Sequence, residues 1–357
     1  MSEAARVLPQ GSRIGILGGG QLGRMLALSA ARLGMSCHIF EPAEAPCAGQ
    51  VAARTVRADW TDAAALGAFA AAVDVVTYEF ENVPLAAIDA LGAGVRLCPG
   101  RRALEVAQDR IAEKDFLSGL GLRTAPYAAA SDPASLAAAL AAIGTPAILK
   151  TRRLGYDGKG QARIARAQDA EAAHMALGGV PAVLEGVVAF DREISVIGAR
   201  GADGAIACFD PGENLHRDGI LHRTSVPAGI PRAVAQDAVL IAGRILGALD
   251  YVGVIGVELF VTDAGLVVNE IAPRVHNSGH WTLDGCLVNQ FEQHVRAICG
   301  WPLGDGARHS DAVMTNLLGA EVFELTGASD AALHLYGKGE ARPGRKMGHV
   351  TRITPRG

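Results

Sequence analysis

The chain has 357 residues, half of them hydrophobic and a fifth charged, a globular composition long enough for two or three domains. Its formal net charge is −4, which excludes a protein whose main partner is a nucleic-acid backbone but not one that grips a small phosphate with a few placed cations. The stretch MSEAARVLPQGSR holds no apolar run of signal-peptide length, and no segment reaches membrane-spanning length without a charge or a Gly/Pro break. The six cysteines (37, 47, 98, 208, 286 and 299) form no C-x-x-C or paired metal spacing, so the expectation is a cytoplasmic protein with reduced, buried thiols.

In chain order, RIGIL (13–17) reads as a buried strand, GGGQLG (18–23) as a glycine-rich turn, and the following residues as a helix to about Leu33, stopped by Gly34. MSCHIFE (35–41) is a second strand. Short apolar strands near 54–58, 73–78 and 95–98 alternate with helical stretches at 62–72 and 84–91. Such βαβ alternation implies an α/β fold with a parallel sheet covered by helices. One helical stretch is expected around 101–120. Beyond it TAPYAA, PAILKT and AVLEGV read as strands, with an alanine-rich helix at 132–143 and a cationic glycine loop at 152–160. A strand-rich region at 193–226, a helix at 231–250, a hairpin at 254–271 and a glycine-rich, strand-containing segment from about 301 complete the chain.

Five motifs carry chemistry. Gly18-x-Gly20-x-x-Gly23 lies between a strand and a helix, where backbone N–H groups meet an anion, and Glu41 ends the next strand, where a dinucleotide fold holds a ribose. This keeps an NAD-dependent oxidoreductase, or a plain tight turn, open. Lys150 precedes Gly155-Tyr156-Asp157-Gly158-Lys159-Gly160, a loop suited to folding over phosphates, with Lys114 on the preceding helix; a solvated hairpin reads the same way. VIGVELFV (254–261) and LVVNEI (266–271) flank a turn at 262–265. A three-residue loop with Gly265 in the left-handed position sets Glu258 directly opposite Glu270 on one face. Like charges across strands repel, their neighbours are Val, Leu and Ile, and a hard divalent cation such as magnesium relieves the conflict, with Asn269 beside them as a further oxygen donor. A register slip would separate the pair. Fourth, Arg274, His276, Asn277, Ser278 and His280 form a polar stretch directly after that strand. Last, Lys338, Arg342, Arg345 and Lys346 sit among glycines, as a phosphate monoester or bulk water would suit.

GILGGGQLGRM, YEFENVP, LKTRRLGYDGKGQ, VNEIAPRVHNSGHWT and GRKMGHV together resemble the ATP-grasp enzymes, most closely the 5-(carboxyamino)imidazole ribonucleotide synthase family of biotin-independent carboxylases in purine synthesis. The resemblance runs over nearly the whole chain. It implies a Rossmann-like domain (1–110), an ATP-grasp lid and first nucleotide-binding half (111–187), and a larger ATP-grasp domain with a C-terminal segment (188–357). It implies that Arg110 and Lys150 contact the phosphates of ATP, and that Gly155, Gly158, Lys159, Gly160 and Gln161 cover them. Glu185 to Val188 would form the adenine linker, and Glu193 would hold the ribose. His216, Asn269 and Glu270 would complete the ATP site, and Glu258 and Glu270 would ligate magnesium. Gln21, Leu22 and Glu79 would meet the nucleotide substrate, aminoimidazole ribonucleotide, whose phosphate would go to Lys338, Arg345 and Lys346. Tyr156 and Asp157 would lie beside the reacting amine, and Arg274 and His276 beside bicarbonate or carboxyphosphate. A homodimer is implied as well. A neighbouring ATP-grasp enzyme, the formate-dependent phosphoribosylglycinamide transformylase, shares the grasp machinery and stays open beside it.

Overall fold

The structure, a computed structural model, describes residues 7–155, 158–324 and 330–357. The first third contains β1 (Arg13–Leu17), α1 (Gln21–Arg32), β2 (Ser36–Phe40), β3 (Arg54–Val56), α2 (Ala63–Ala71), β4 (Val75–Tyr78), α3 (Leu85–Ala90) and α4 (Arg101–Ala107). The four strands pair in parallel in the order β3-β2-β1-β4. Their apolar runs are buried on both faces, as helix-covered parallel strands require. The strand expected at 95–98 reduces to a single bridge between Val76 and Leu97.

The helix expected over 101–120 is two helices. α5 (Arg110–Gly119) starts afresh because the Asp109 side chain accepts the N–H groups of Ile111 and Ala112 as an N-cap. Arg152 then grips the same carboxylate at 2.7 Å, so a loop residue fixes where the helix begins.

The lid consists of β5 (Tyr127–Ala130), α6 (Pro133–Ile143), β6 (Ala147–Thr151), β7 (Gln161–Ile164), α7 (Ala170–Ala176) and β8 (Ala182–Gly186), its antiparallel sheet ordered β5-β8-β6-β7. α6 opens on a capping box, Asp132 with Ser135, and Pro133 in its first turn. β7 and α7 are elements the sequence pattern did not announce.

The remainder forms β9 (Arg192–Arg200), β10 (Ile206–Cys208), β11 (Gly212–Arg217), β12 (Ile220–Val226), α8 (Arg232–Ala248), β13 (Gly253–Thr262), β14 (Gly265–Ala272), α9 (Thr282–Gly285), α10 (Gln290–Cys299), β15 (Ser310–Leu318), α11 (Glu321–Glu324), β16 (Ala332–Leu335) and β17 (Lys346–Pro355). Among the described residues its strands run β14-β13-β9-β11-β12-β15-β17-β16, with β10 on β9. One core joins the first sheet to this one: Ile14, Ile16 and Leu26 pack with Ile197, Val254, Phe291 and Val295. Each such fully buried side chain contributes about 1.5–3 kcal/mol, so the two sheets form one firm body around the cleft between them. No helix among the described residues is long and apolar enough to cross a membrane.

Candidate active site

β13 and β14 carry the acidic pair. Glu258 and Glu270 are direct cross-strand partners, but by a different route from the one the loop length suggests. The turn has two residues, Thr262 pairing with Gly265, and that register alone would put Asn269 opposite Glu258. A bulge at Asn269 restores the Glu258–Glu270 pairing. Asn269 donates to Glu258 from 3.5 Å, His276 Nε2 lies 3.3 Å from Glu258, and Arg110 on α5 reaches Glu270 at 3.3 Å. Burial, with the charge of Glu270 added, raises the Glu258 carboxyl to about 7. Among the described residues no three His, Cys, Asp or Glu side chains are grouped to hold a metal by themselves. Two oxygen-bearing side chains in conflict suit magnesium, which takes one or two carboxylates and fills its shell from phosphates and water.

The pair forms one wall of a cavity of about 720 Å³. From the lid come Lys150, Gly155, Gly158, Lys159 and Gln161; from the large sheet Glu193, His216 and Asn269; from the first domain Gln21, Leu22 and Glu79; from the loop after β14 Arg274 and His276; and from β17 Lys346. The sequence-derived residues are therefore largely gathered on one cavity. Gly160, Glu185, Val188, Lys338 and Arg345 are not among its lining residues, and Tyr156 and Asp157 lie outside the described residues.

Those off the lining have other partners. Glu185 on β8 is buried between Lys150 (2.9 Å) and Lys114 (3.4 Å). Burial pushes its carboxyl up, yet the two ammonium groups outweigh that and hold it below the usual range. Gly160 accepts the Thr151 N–H at 2.7 Å and so closes the base of the glycine loop. Lys338 donates to the Lys346 carbonyl at 2.8 Å and lies over the Tyr336 ring. Burial, with Arg345 and Lys346 nearby, lowers its ammonium to about 8. Arg345 donates to the Glu340 carbonyl. Gln50 ties this segment to the first domain through the Gly337 carbonyl at 2.7 Å, and Arg24 of α1 holds Gln50 at 2.8 Å.

The glycine turn settles the dinucleotide question. Gly20 and Gly23 donate their N–H groups to the two oxygens of Glu79, at 2.7 and 3.0 Å, and Gly19 donates to Glu41 at 2.8 Å. A Cβ at Gly20 would lie 2.5 Å from the Glu79 carboxylate, which is why this position is glycine. The amides that a dinucleotide fold offers to pyrophosphate are taken by the chain's own carboxylates, and Glu41 is spent on the turn and not on a ribose.

Several lining residues had no assignment from sequence. Phe190 stacks on Phe260 at 4.5 Å between ring centres, giving the cavity a flat apolar flank beside Glu193 and His216, which pair at 2.5 Å. Burial lowers the His216 imidazole, but the hydrogen bond to Glu193 and its charge win and raise it. Glu81 forms an ion pair with Arg274. Burial pushes the Glu81 carboxyl up, and the guanidinium overrides this and holds it at about 2. Asn277 is buried against the cavity, and neither of its amide atoms has a partner among the described residues. Lys114 had a readable signal. Arg110, Glu113, Lys114 and Leu117 share one face of α5, so charged residues fill positions where an ordinary helix is apolar. His276 lies directly over Gly256 of β13, whose missing Cβ leaves its space. Burial, then Arg274 and Lys346, lower this imidazole to about 3, so it is neutral at physiological pH.

With this geometry in hand, comparison with known proteins decides the family. Residues 12–108 match the ribonucleotide synthetase preATP-grasp domain, 115–291 the ATP-grasp domain and 312–356 the phosphoribosylaminoimidazole carboxylase C-terminal domain. The N5-carboxyaminoimidazole ribonucleotide synthase of Brucella melitensis is 53% identical over 355 residues, 98% of each chain. The chain belongs to the N5-carboxyaminoimidazole ribonucleotide synthase family. The Pseudomonas aeruginosa synthase is 45% identical, over 95% of this chain and 94% of its own. Among solved structures, the ADP complex of an N5-carboxyaminoimidazole ribonucleotide synthetase superposes with a TM-score of 0.94 at 39% identity, covering 98% of this chain and 94% of that one. The Aspergillus clavatus synthase, in complex with ADP and 5-aminoimidazole ribonucleotide, gives 0.91 at 31% identity, over 97% and 95%. The chain is thus an ATP-grasp carboxylating ligase, and the oxidoreductase reading falls.

Proposed function

We propose that the chain uses ATP and bicarbonate to carboxylate the exocyclic amine of 5-aminoimidazole ribonucleotide, releasing ADP and phosphate, as its family membership supports. The observation that carries the residue assignments is the Glu258–Glu270 pairing on the wall of the large cavity. Two carboxylates held in register repel until a cation lies with them. Glu258, Glu270 and the Asn269 amide are the donors for magnesium, which when bound neutralises the phosphates of ATP and steadies charge on the transferring phosphoryl group.

The chain's own groups supply the rest. The Phe190–Phe260 flank and the Glu193–His216 pair receive the base and ribose of ATP. Arg110, Lys150 and Lys159 draw its phosphates to the mouth of the lid. A bicarbonate oxygen attacks the terminal phosphorus, the bond to the ADP oxygen breaks, and carboxyphosphate forms. Phosphorylation turns a poor electrophile into one with a good leaving group. The amine nitrogen then attacks the carbonyl carbon, phosphate departs and the amine loses a proton. Arg274 and His276 hold the anionic carbon unit, with Arg274 kept in place by Glu81. Arg274 provides full charge and His276 a neutral hydrogen-bonding edge, which binds an oxyanion as it grows without freezing it in the ground state. Gln21, Leu22 and Glu79 wall the nucleotide substrate, and Lys346, Lys338 and Arg345 take its phosphate. The division at residues 110 and 187 belongs to this proposal and is supported by three sheets that fall in separate stretches of chain. A cytoplasmic homodimer is the form in which we expect it to work.

The test is ADP release with aminoimidazole ribonucleotide, omitting bicarbonate, magnesium and nucleotide in turn. Turnover is expected only with all three, and formate in place of bicarbonate is expected to give none. Turnover driven by formate would overturn the assignment.

A further inference from the structure

Ser195, Glu258 and Glu270 stand in one row across β9, β13 and β14, because Glu258 pairs with Ser195 on one side and Glu270 on the other. His276 spans this row. Its Nε2 is 3.3 Å from Glu258 Oε1, and its Nδ1 is 2.8 Å from Ser278 Oγ, which is itself 2.7 Å from Ser195 Oγ. The backbone N–H of Ser278 also points at Nδ1, from 3.4 Å, as the N-cap contact of a short 3-10 turn. A backbone N–H only donates, so Nδ1 must meet it with its lone pair. The Ser278 hydroxyl, facing the same nitrogen, donates as well, and accepts from Ser195. Both serines are buried, at 1% and 2% exposure, so bulk water does not compete for these bonds. The one ring proton is left on Nε2. Gln290 holds the residue in place, accepting the His276 N–H at 2.9 Å and donating to its carbonyl at 2.7 Å.

We propose that Ser195 and Ser278 are positioning residues that lock His276 as the Nε2–H tautomer, so that it offers the cavity a hydrogen-bond donor and not a base. The catalytic half of this inference rests on the role given above to His276; the tautomer half does not. A donor edge beside Arg274 fits an oxygen of bicarbonate or carboxyphosphate. An imidazole with the opposite tautomer would turn a lone pair on that oxygen and on Glu258.

The test is the tautomer itself, read from two-bond proton–nitrogen correlation spectra of ligand-free, 15N-histidine-labelled protein. His276 is assigned among the ten histidines as the signals lost in His276→Gln. The wild-type ring is expected to show a protonated Nε2 and a bare Nδ1. Ser278→Ala is expected to admit the Nδ1–H form and to lower kcat roughly tenfold with the ATP KM unchanged, and Ser278→Thr, which keeps the hydroxyl, to restore both. Ser195→Ala, which leaves the hydroxyl of Ser278 without its donor, is expected to show the same shift in smaller degree and serves if Ser278→Ala does not fold. A wild-type Nδ1–H form overturns the lock. A tautomer shift without loss of kcat, or loss of kcat without a shift, overturns its catalytic role. Absence of carboxylation by wild-type enzyme that shows the expected tautomer would count against the assigned reaction and leave the lock standing.

Discussion

Two pairs of glutamates in this molecule meet opposite fates. Glu41 and Glu79 sit at the glycine turn, where backbone amides of Gly19, Gly20 and Gly23 point straight at them. Glu258 and Glu270 sit on the β13–β14 ribbon, where the amides are consumed by the ladder and the nearest help is one asparagine, one histidine and one arginine. The first pair is satisfied from within, so that Glu41 serves the turn and Glu79 lines the cavity with its charge already met by backbone amides. The second is left in conflict, and a half-buried conflict of charge that persists on a cavity wall marks a place where something else binds. Counting acids would not separate the two, nor would counting donors; donor distance does, 2.7–3.0 Å at the turn against 3.3–3.5 Å on the ribbon.

The contrast can be broken most sharply at Glu270. Glu270→Gln is expected to cut magnesium-dependent ADP formation by about 10³-fold or more while the fold stays intact by circular dichroism; near-wild-type activity would place the cation elsewhere. A smaller effect is expected in the C-terminal segment, at Lys338 beside the cavity-lining Lys346. Lys338→Ala removes a half-buried cation, and the KM for aminoimidazole ribonucleotide should rise roughly 10–100-fold with the ATP KM nearly unmoved. Equal losses would mean that Lys338 serves the fold and not the phosphate.

The same lysine gives a pH signature. Its ammonium is lowered to about 8, so it is charged below that value and neutral above it. The apparent affinity for the phosphorylated substrate should therefore fall as pH rises through about 8, approaching about tenfold per unit. Lys338→Arg, whose charge persists, should push that limb upward. The smallest effect, yet the one aimed most directly at the two glutamate pairs, is on stability without nucleotide or magnesium. Glu79→Gln turns an NH₂ against a glycine N–H and should cost about 1–2 kcal/mol, lowering the melting temperature. Glu258→Gln removes like-charge repulsion and should leave it equal or higher. Shifts of the same sign would erase the distinction.

Much of this was legible in the residues themselves. The βαβ alternation of the first domain and the β13–β14 ribbon follow from apolar periodicity and turn residues, and the facing of Glu258 and Glu270 was reached from a three-residue loop that the structure replaces with a two-residue turn and a bulge. The bulge was not, because it answers to a third strand. β13 is held in unbroken register by β9 through Glu258 and Leu259, so the edge strand β14 absorbs the extra residue at Asn269. The break before α5 was hidden for a similar reason: Asp109 owes part of its place to Arg152, on a distant loop. The Glu185–Lys114–Lys150 cluster likewise joins α5 to two lid strands, β6 and β8. Local pattern shows which side chains are out of place, and only the assembled fold shows what they are placed for.

Gly256 has no room to change. A methyl group there would meet the β-carbon of His276 at 2.7 Å, inside any tolerable approach. Any side chain at this position would push the imidazole off its perch. Gly256 is thus the seat on which the His276 ring rests, and the identity of one strand residue decides where that imidazole can stand.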